Sequence, residues 1–295
     1  MLDYEIMEQT TLNTKGQSIY TGDEKNEIAR INRQNEYLNR IVAPYLDKIF
    51  SYFANPLILD IGCADGNNIL LRLKNRNYHA LLGIDKNHTK IETANNLFGS
   101  YKNSFVCCDI NTEALNNILS EYLKQKGKAG FDIIHISSVL LHIENPIILL
   151  CNLHMFLSKN GHIFIQDEDD GVNMVYPYDE RFEDCFYVWN HSIEAGDRFM
   201  GRKIPFYLSK SGYSDINILS SNITSLDFNG ETKDCLWDLY FNSDLWVAND
   251  PSFYDNYEAY ERFLSYKKNY IELRESYVNN NYFIMLGFFF ISAKK

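Results

Sequence analysis

Apolar residues fall into two recurring patterns along the chain: short continuous runs, and longer stretches in which they return every three or four positions. Runs of the first kind predict buried strands at Leu57 to Asp60, His79 to Asp85, Ser104 to Asp109 and Gly130 to Ser138. A fifth strand, HIFIQDED, is expected after a turn at Ser158 to Gly161, a sixth at Ser214 to Ile223 and a last at Tyr282 to Ala293. Between them the helical pattern returns, through Ile69, Leu70, Leu71 and Leu73 after the first strand and across VLLHIENPIILLCNLHMFL after the fourth. Strand and helix in alternation predict a parallel sheet with helices on both faces, which is where near-continuous apolar strands find burial on both sides.

Flanking segments keep a different character. From Glu24 to Phe50, Ile28, Ile31, Tyr37, Leu38, Ile41, Val42, Tyr45 and Leu46 hold helical spacing, and Pro44 is expected to divide the segment into two helices. Residues 1 to about 25 are polar and weakly patterned, which suits a flexible arm or a lid. Past residue 170 the aromatics crowd together, and helices are expected over Asp234 to Val247 and Pro251 to Val278, the second with Asp250 as N-cap and Pro251 at the first helical position. The expected organisation is an N-terminal arm with helices over 1–50, a core over 51–223 and 282–295 with an insertion at about 170–210, and an aromatic helical insertion over 224–281.

Small residues punctuate the first strand-to-helix turn. Gly62, Ala64 and Gly66 allow close backbone approach to a ligand, and the helix start that follows offers N–H groups to an anionic one. A dinucleotide fingerprint fails, because Ala64 and Asn67 stand where glycines are needed, and this disfavours a nicotinamide-dependent enzyme. The Gly-Lys-Ser/Thr ending of a P-loop is absent.

Charge and composition narrow the partners. A formal net charge of −11 over 295 residues argues against a broad basic face for nucleic acid. The longest apolar run, Phe283 to Ser292, is far short of the roughly 20 residues a membrane-spanning helix needs, and the amino terminus has no basic region leading into an apolar one. Six cysteines include no C-x-x-C pair and no Cys/His ligand cluster, so reduced thiols in a cytoplasmic protein without a bound metal are expected.

The run Asp60-x-Gly62-x-Ala64-x-Gly66 resembles the D/E-x-G-x-G-x-G turn of class I S-adenosylmethionine-dependent methyltransferases, with Ala64 in place of the middle glycine. Two further strand-end acids agree: Asp85, about 20 residues on, where a carboxylate accepts both ribose hydroxyls, and Asp109-Ile110, which in the family read the adenine. The resemblance extends over roughly 55 to 170 and implies a Rossmann-like α/β fold, a seven-stranded sheet that is mostly parallel with an antiparallel last strand, and helical cap insertions. It implies S-adenosyl-L-methionine as cofactor, S-adenosyl-L-homocysteine as product, and a cofactor set that adds Cys63, Lys86 and Ser137 to the residues above. Tyr20, Arg33 and Arg40 in the helical preface are candidates for the methionine carboxylate.

For the acceptor side, Ser137-Ser138-Val139-Leu140 replaces the Asn/Asp-Pro-Pro-Tyr/Phe motif with which some family members bind a planar amide or amine, so an adenine amine or glutamine acceptor is disfavoured. His142 is a candidate general base, and Asp167 a candidate catalytic acid within the run Asp167 to Asp170. GDRFMGRKIPFYLSKSGY (196 to 213) resembles a Gly-Asp/Gly-Arg run of small-molecule methyltransferases, and Arg198 and Arg202, with Tyr176 and Tyr187 of the aromatic segment, are candidates for substrate contact. These features favour methyl transfer to nitrogen or oxygen of a small molecule. The rival readings are a protein acceptor, and a cofactor-binding module without transferase activity that assembles through its aromatic cap; that cap is also a candidate homodimer face.

Overall fold

The computed structural model describes residues 24–192, 196–228, 236–237, 240–242 and 251–295, with the side chains of 24–30, 220, 221 and 253 excepted. Within them the chain divides into two compact units.

The larger unit, Ile31–Met174 with Asp197–Asp227 and Ile284–Lys295, contains the sheet. Its strands are β1 (Leu57–Ile61), β2 (Ala80–Asp85), β3 (Asn103–Cys107), β4 (Phe131–Ser137), β5 (Leu157–Glu168), β7 (Ser214–Thr224) and β8 (Phe283–Lys294), the seven expected from the apolar runs. A three-residue strand, β6 (Met174–Tyr176), brings the sheet to eight. Strands β3, β2, β1, β4 and β5 lie side by side in that order and run parallel, and β8 runs antiparallel between β5 and β7. β1 is buried at every position and β2 at all but its last, because helices cover both faces.

Helices fill the crossovers: α2 (Asn67–Leu73), α3 (His88–Phe98), α4 (Ala114–Lys126), α5 (Pro146–Phe156) and α7 (Met200–Lys210). Leu115, Leu119, Leu149, Leu153, Ile204 and Leu208 present the buried stripes of the last three to Leu57, Leu59, Ile134 and Ile163 of the sheet.

Local structure departs from the expected pattern at four places. Helix α1 (Glu24–Phe50) continues through Pro44 as one helix. Leu38, Val42, Leu46 and Ile49 are buried on either side of the proline, so packing outweighs the lost N–H bond. The pattern after β4 is two pieces, a single 3₁₀ turn at Leu140–His142 and then α5, which begins at Pro146 where a missing N–H is harmless. Ser158 to Gly161 lies inside β5 as a bulge, between the pairs Phe131↔Leu157 and Ile133↔His162. The last long helix, α8 (Tyr257–Val278), starts six residues later than expected and is capped by Asn256, whose side chain accepts from the Ala259 N–H at 2.7 Å; Pro251–Phe253 form a separate 3₁₀ turn. Asp250 and most of the 234–247 segment lie outside the described residues.

The smaller unit draws on Met1–Arg30, Val175–Gly196 and Phe228–Phe283. Its described part joins α6 (Glu180–Asn190) and α8 through rings of residues 237 and 241: Phe182 meets Trp237 edge-on at 6.1 Å and Phe241 at 5.5 Å, and Trp237 lies 5.5 Å from Tyr277 of α8. Phe182, Trp189, Trp237, Phe241, Phe263, Tyr266 and Tyr277 are all buried. Asp179 begins α6 and also ties it down. It accepts from the Arg181 N–H and from the Arg181 guanidinium at 2.6 Å, and from the Tyr282 hydroxyl, while Arg181 reaches Glu272 of α8 at 2.8 Å. None of the described helices is long and apolar enough to cross a membrane.

The Arg181 hydrogen bonds hold the Asp179 carboxyl down at about 2. A depressed carboxyl stabilises the folded form above its unfolded pKa of about 4 and loses that contribution as pH falls toward the folded value. The smaller unit should therefore lose stability between about pH 4 and about pH 2, and Asp179→Asn should remove this acid dependence while lowering stability at neutral pH, as followed by tryptophan fluorescence during acid titration.

Candidate cofactor and acceptor site

Strand order reverses between β1 and β4, which opens a crevice outside their carboxyl ends. The chain leaving β1 turns into this region through three left-handed residues, Gly62 (φ 71°), Ala64 (φ 48°) and Gly66 (φ 79°). Gly62 and Cys63 both donate to Ile84 O of β2, at 2.8 and 3.0 Å, so the loop is folded against the neighbouring strand end. A Cβ at Gly62 would stand 2.2 Å from a methyl of Val139. Ala64 adopts its positive φ despite its Cβ, at a cost of about 1 kcal/mol, and its N–H is held at 2.9 Å by Asp85.

Asp85 is the hinge of the loop. One carboxylate oxygen accepts from Ala64 and the other from the Asn87 N–H at 2.8 Å. Each oxygen keeps a second lone pair, and the residue is half-buried, so two hydroxyls of a ribose fit this carboxylate. Asp109 lies two residues beyond the end of β3 and is exposed. Only its Oδ1 is engaged, by the backbone and side-chain N–H groups of Asn111 at 2.9 and 3.0 Å. Ile110 packs against the core beside it, and Ser137, half-buried, ends β4. Lys86 is exposed. The Cys63 thiol is buried, and burial together with Asp60 and Asp85 pushes its pKa far up, so it serves as a small packed side chain. These residues fit the adenosyl part of S-adenosylmethionine.

Asp60 faces inward. Its Oδ1 lies 2.6 Å from His135 Nδ1 on β4, directly across the β1–β4 pairing, with both side chains buried. His135 Nε2 meets Nη1 of Arg72 from α2, and Arg72 Nη2 donates to Gln166 of β5. A guanidinium only donates, so His135 Nε2 must accept, and the ring proton sits on Nδ1 and points at Asp60. Burial lowers the His135 pKa and holds that of Arg72 at about 10, so a neutral imidazole bridges a carboxylate to a guanidinium. The Asp60 carboxylate thus ties β1 to β4. The sequence reading missed His135, Arg72 and Gln166; the available signal was a lone histidine in an apolar strand.

At the acceptor end, Ser138 takes φ 51°, and its N–H donates to Gln166 O at 2.8 Å. The 3₁₀ turn that follows carries His142, whose ring reaches solvent within a wall of protein. Partial burial lowers its pKa, Glu168 opposes that shift, and Arg198 and Lys86 add to it. Asp167 is wholly buried and accepts from the Leu141 N–H at 3.3 Å, so it anchors the turn and does not face an acceptor. Arg198 binds Asp170 through two bonds of 3.0 Å, and Arg202 binds Asp169 at 2.5 to 3.0 Å. Both arginines expected at the substrate are thus engaged by acids of the same unit. Tyr187 belongs to the smaller unit, where it stacks on His191 at 3.9 Å and beneath the Arg262 guanidinium at 4.2 Å, and Tyr176 is exposed. Arg33 and Arg40 lie exposed on α1, and Tyr20 is outside the described residues.

A family model described as a methyltransferase domain matches residues 32–213, and the chain belongs to this family. An uncharacterized protein of Haemophilus influenzae is 27% identical over 192 residues, covering 61% of this chain and 72% of its own. Among solved structures, a Bacillus halodurans C-125 protein assigned as a methyltransferase is similar at a TM-score of 0.50 with 14% identity, over 85% of this chain and 98% of that one. The [4+2]-cyclase SpnF is similar at 0.51 with 14% identity, over 88% and 80%. These two share its fold. The cofactor of the domain is S-adenosyl-L-methionine.

Arg72→Met should cost about 3 kcal/mol in urea denaturation, since it leaves a buried carboxylate without its counter-charge. Asp85→Ala removes two charge-assisted bonds to ligand hydroxyls and one to the loop, and should weaken S-adenosylhomocysteine binding about a hundredfold in calorimetry.

Proposed function

We propose that the protein transfers a methyl group from S-adenosylmethionine to a nitrogen or oxygen of a small-molecule acceptor by in-line displacement. The observation that carries this reading is Asp85, which secures the left-handed loop while keeping lone pairs open on both oxygens. Bound S-adenosylmethionine supplies a methyl carbon already made electrophilic by its sulfonium. The protein's own task is then to orient the acceptor and exclude water, with a base where the acceptor carries a proton to lose. His142 is suited to that role, because its lowered pKa leaves the imidazole neutral at pH 7. Asp109 and Ile110 would meet the adenine, Asp85 the ribose, and Arg33 or Arg40 the methionine carboxylate. A formal net charge of −11 suits a small acceptor in the cytoplasm rather than nucleic acid.

One observation favours a second reading. The buried aromatics of the smaller unit pack on one another, as expected of a cap that assembles with a partner or a second copy of the chain. Calorimetry with S-adenosylmethionine, S-adenosylhomocysteine and NAD tests the cofactor assignment that both readings share: binding of the first two alone supports it, and failure of both overturns it. With an acceptor in hand, His142→Ala should lower kcat about a hundredfold. The wild-type rate should fall only below about pH 6.5, as the imidazole protonates. A rate unaffected by the substitution would remove His142 from the chemistry.

A further inference from the structure

Four acids close β5, and their partners divide them. Asp169 and Asp170 each hold a guanidinium, from Arg202 and Arg198. Asp167 and Glu168 hold none among the described residues. Glu168 is 8% exposed, and its Oε1 accepts from the Ser138 hydroxyl at 3.1 Å. Its Oε2 is buried, and no backbone N–H, amine or hydroxyl of a described residue reaches it; its neighbour is the Asp167 carboxyl. Leaving a buried carboxylate oxygen without a donor is costly, and leaving its charge unneutralised costs more. The relief available within the chain is incomplete: burial and the adjacent Glu168 push the Asp167 pKa well up, and a neutral carboxyl there brings no positive charge to Glu168.

We infer that Glu168 Oε2 is the point at which the acceptor is recognised, and that the acceptor presents a cationic amine to it. The inference rests on the methyltransferase reading of the same site. Location supports it: Glu168 ends β5 beside the carboxyl end of β4, and its charge is felt by His142 on the Ser138–His142 turn. Chemistry decides the class. A neutral hydroxyl would satisfy the oxygen and leave the charge, whereas an ammonium supplies both the donor and the counter-charge. No group of three acids, histidines or cysteines that could hold a metal ion is found among the described residues, which disfavours a metal there. The nearby cations are either committed, as Arg198 and Arg202 are to their own aspartates, or exposed, as Lys86 is.

Methylammonium is the smallest probe of such a site. The full chain, saturated with S-adenosylhomocysteine, would be titrated with methylammonium chloride while the amide resonances of Ser138, His142 and position 168 are followed by NMR. Methanol and sodium chloride serve as the neutral and ionic controls. A saturable shift is expected with methylammonium alone, and Glu168→Gln should weaken it by at least about tenfold while S-adenosylhomocysteine affinity, measured in parallel, confirms that the variant is folded. If S-adenosylhomocysteine binds but methylammonium gives no saturable shift, or gives the same shift in Glu168→Gln, the inference is overturned and the methyltransferase reading stands. If the wild-type protein does not bind S-adenosylhomocysteine, the methyltransferase reading fails and takes the inference with it.

Discussion

The larger unit is built around a charge that has no access to water. Arg72, fully buried, stands at the end of a line that runs through His135 to Asp60 and branches to Gln166. These four residues come from α2, β4, β1 and β5, so one polar chain joins the helix after the glycine loop to the three central strands. Desolvating such a group is costly unless its donors find acceptors; Nη1 and Nη2 of Arg72 find them in His135 and Gln166, while its Nε meets none among the described residues. Phe164 adds a flat surface, stacking on His135 at 5.7 Å and lying 5.7 Å beneath the Arg72 guanidinium. The line fixes the register of β1 against β4, and therefore the place where the crevice opens. It also fixes which imidazole nitrogen carries the proton, so β1 and β4 are joined by a directional bond and not merely by apolar contact.

The sheet was legible in the sequence because its strands are buried on both faces and so appear as continuous apolar runs. The loop was legible because Gly62 and Gly66 advertise positive φ. Ala64 did not, since its conformation is imposed by the Asp85 bond and not by its own side chain. Asp85 and Asp109 were found as strand-end acids, whereas the inward turn of Asp60 was not, because its partner His135 is 75 residues away and only strand pairing brings them together. Arg72 was missed for the same reason, since Gln166 is 94 residues away and His135 63. Pro44 misled in the opposite direction: local chemistry argued for a break, and the buried stripe on both sides of it kept the helix whole.

The four acids after Gln166 show how little composition says about role. In the sequence they are equivalent members of one charged run. In the fold, Asp169 and Asp170 pin the 198–202 segment to the sheet edge, Asp167 secures the 3₁₀ turn, and Glu168 retains an oxygen that no amine or hydroxyl among the described residues reaches. The difference lies in which way each side chain leaves the strand and what the neighbouring loop brings to it, and neither is encoded within the run itself.

Gly62 and Val139 touch where the loop after β1 meets the turn after β4, with no room for even one added carbon. A side chain added at Gly62 would have to displace Val139, and with it the turn that carries Ser138 and His142. By thermodynamic reciprocity, an acceptor that prefers one position of that turn must alter cofactor affinity by the same factor by which the cofactor alters its own.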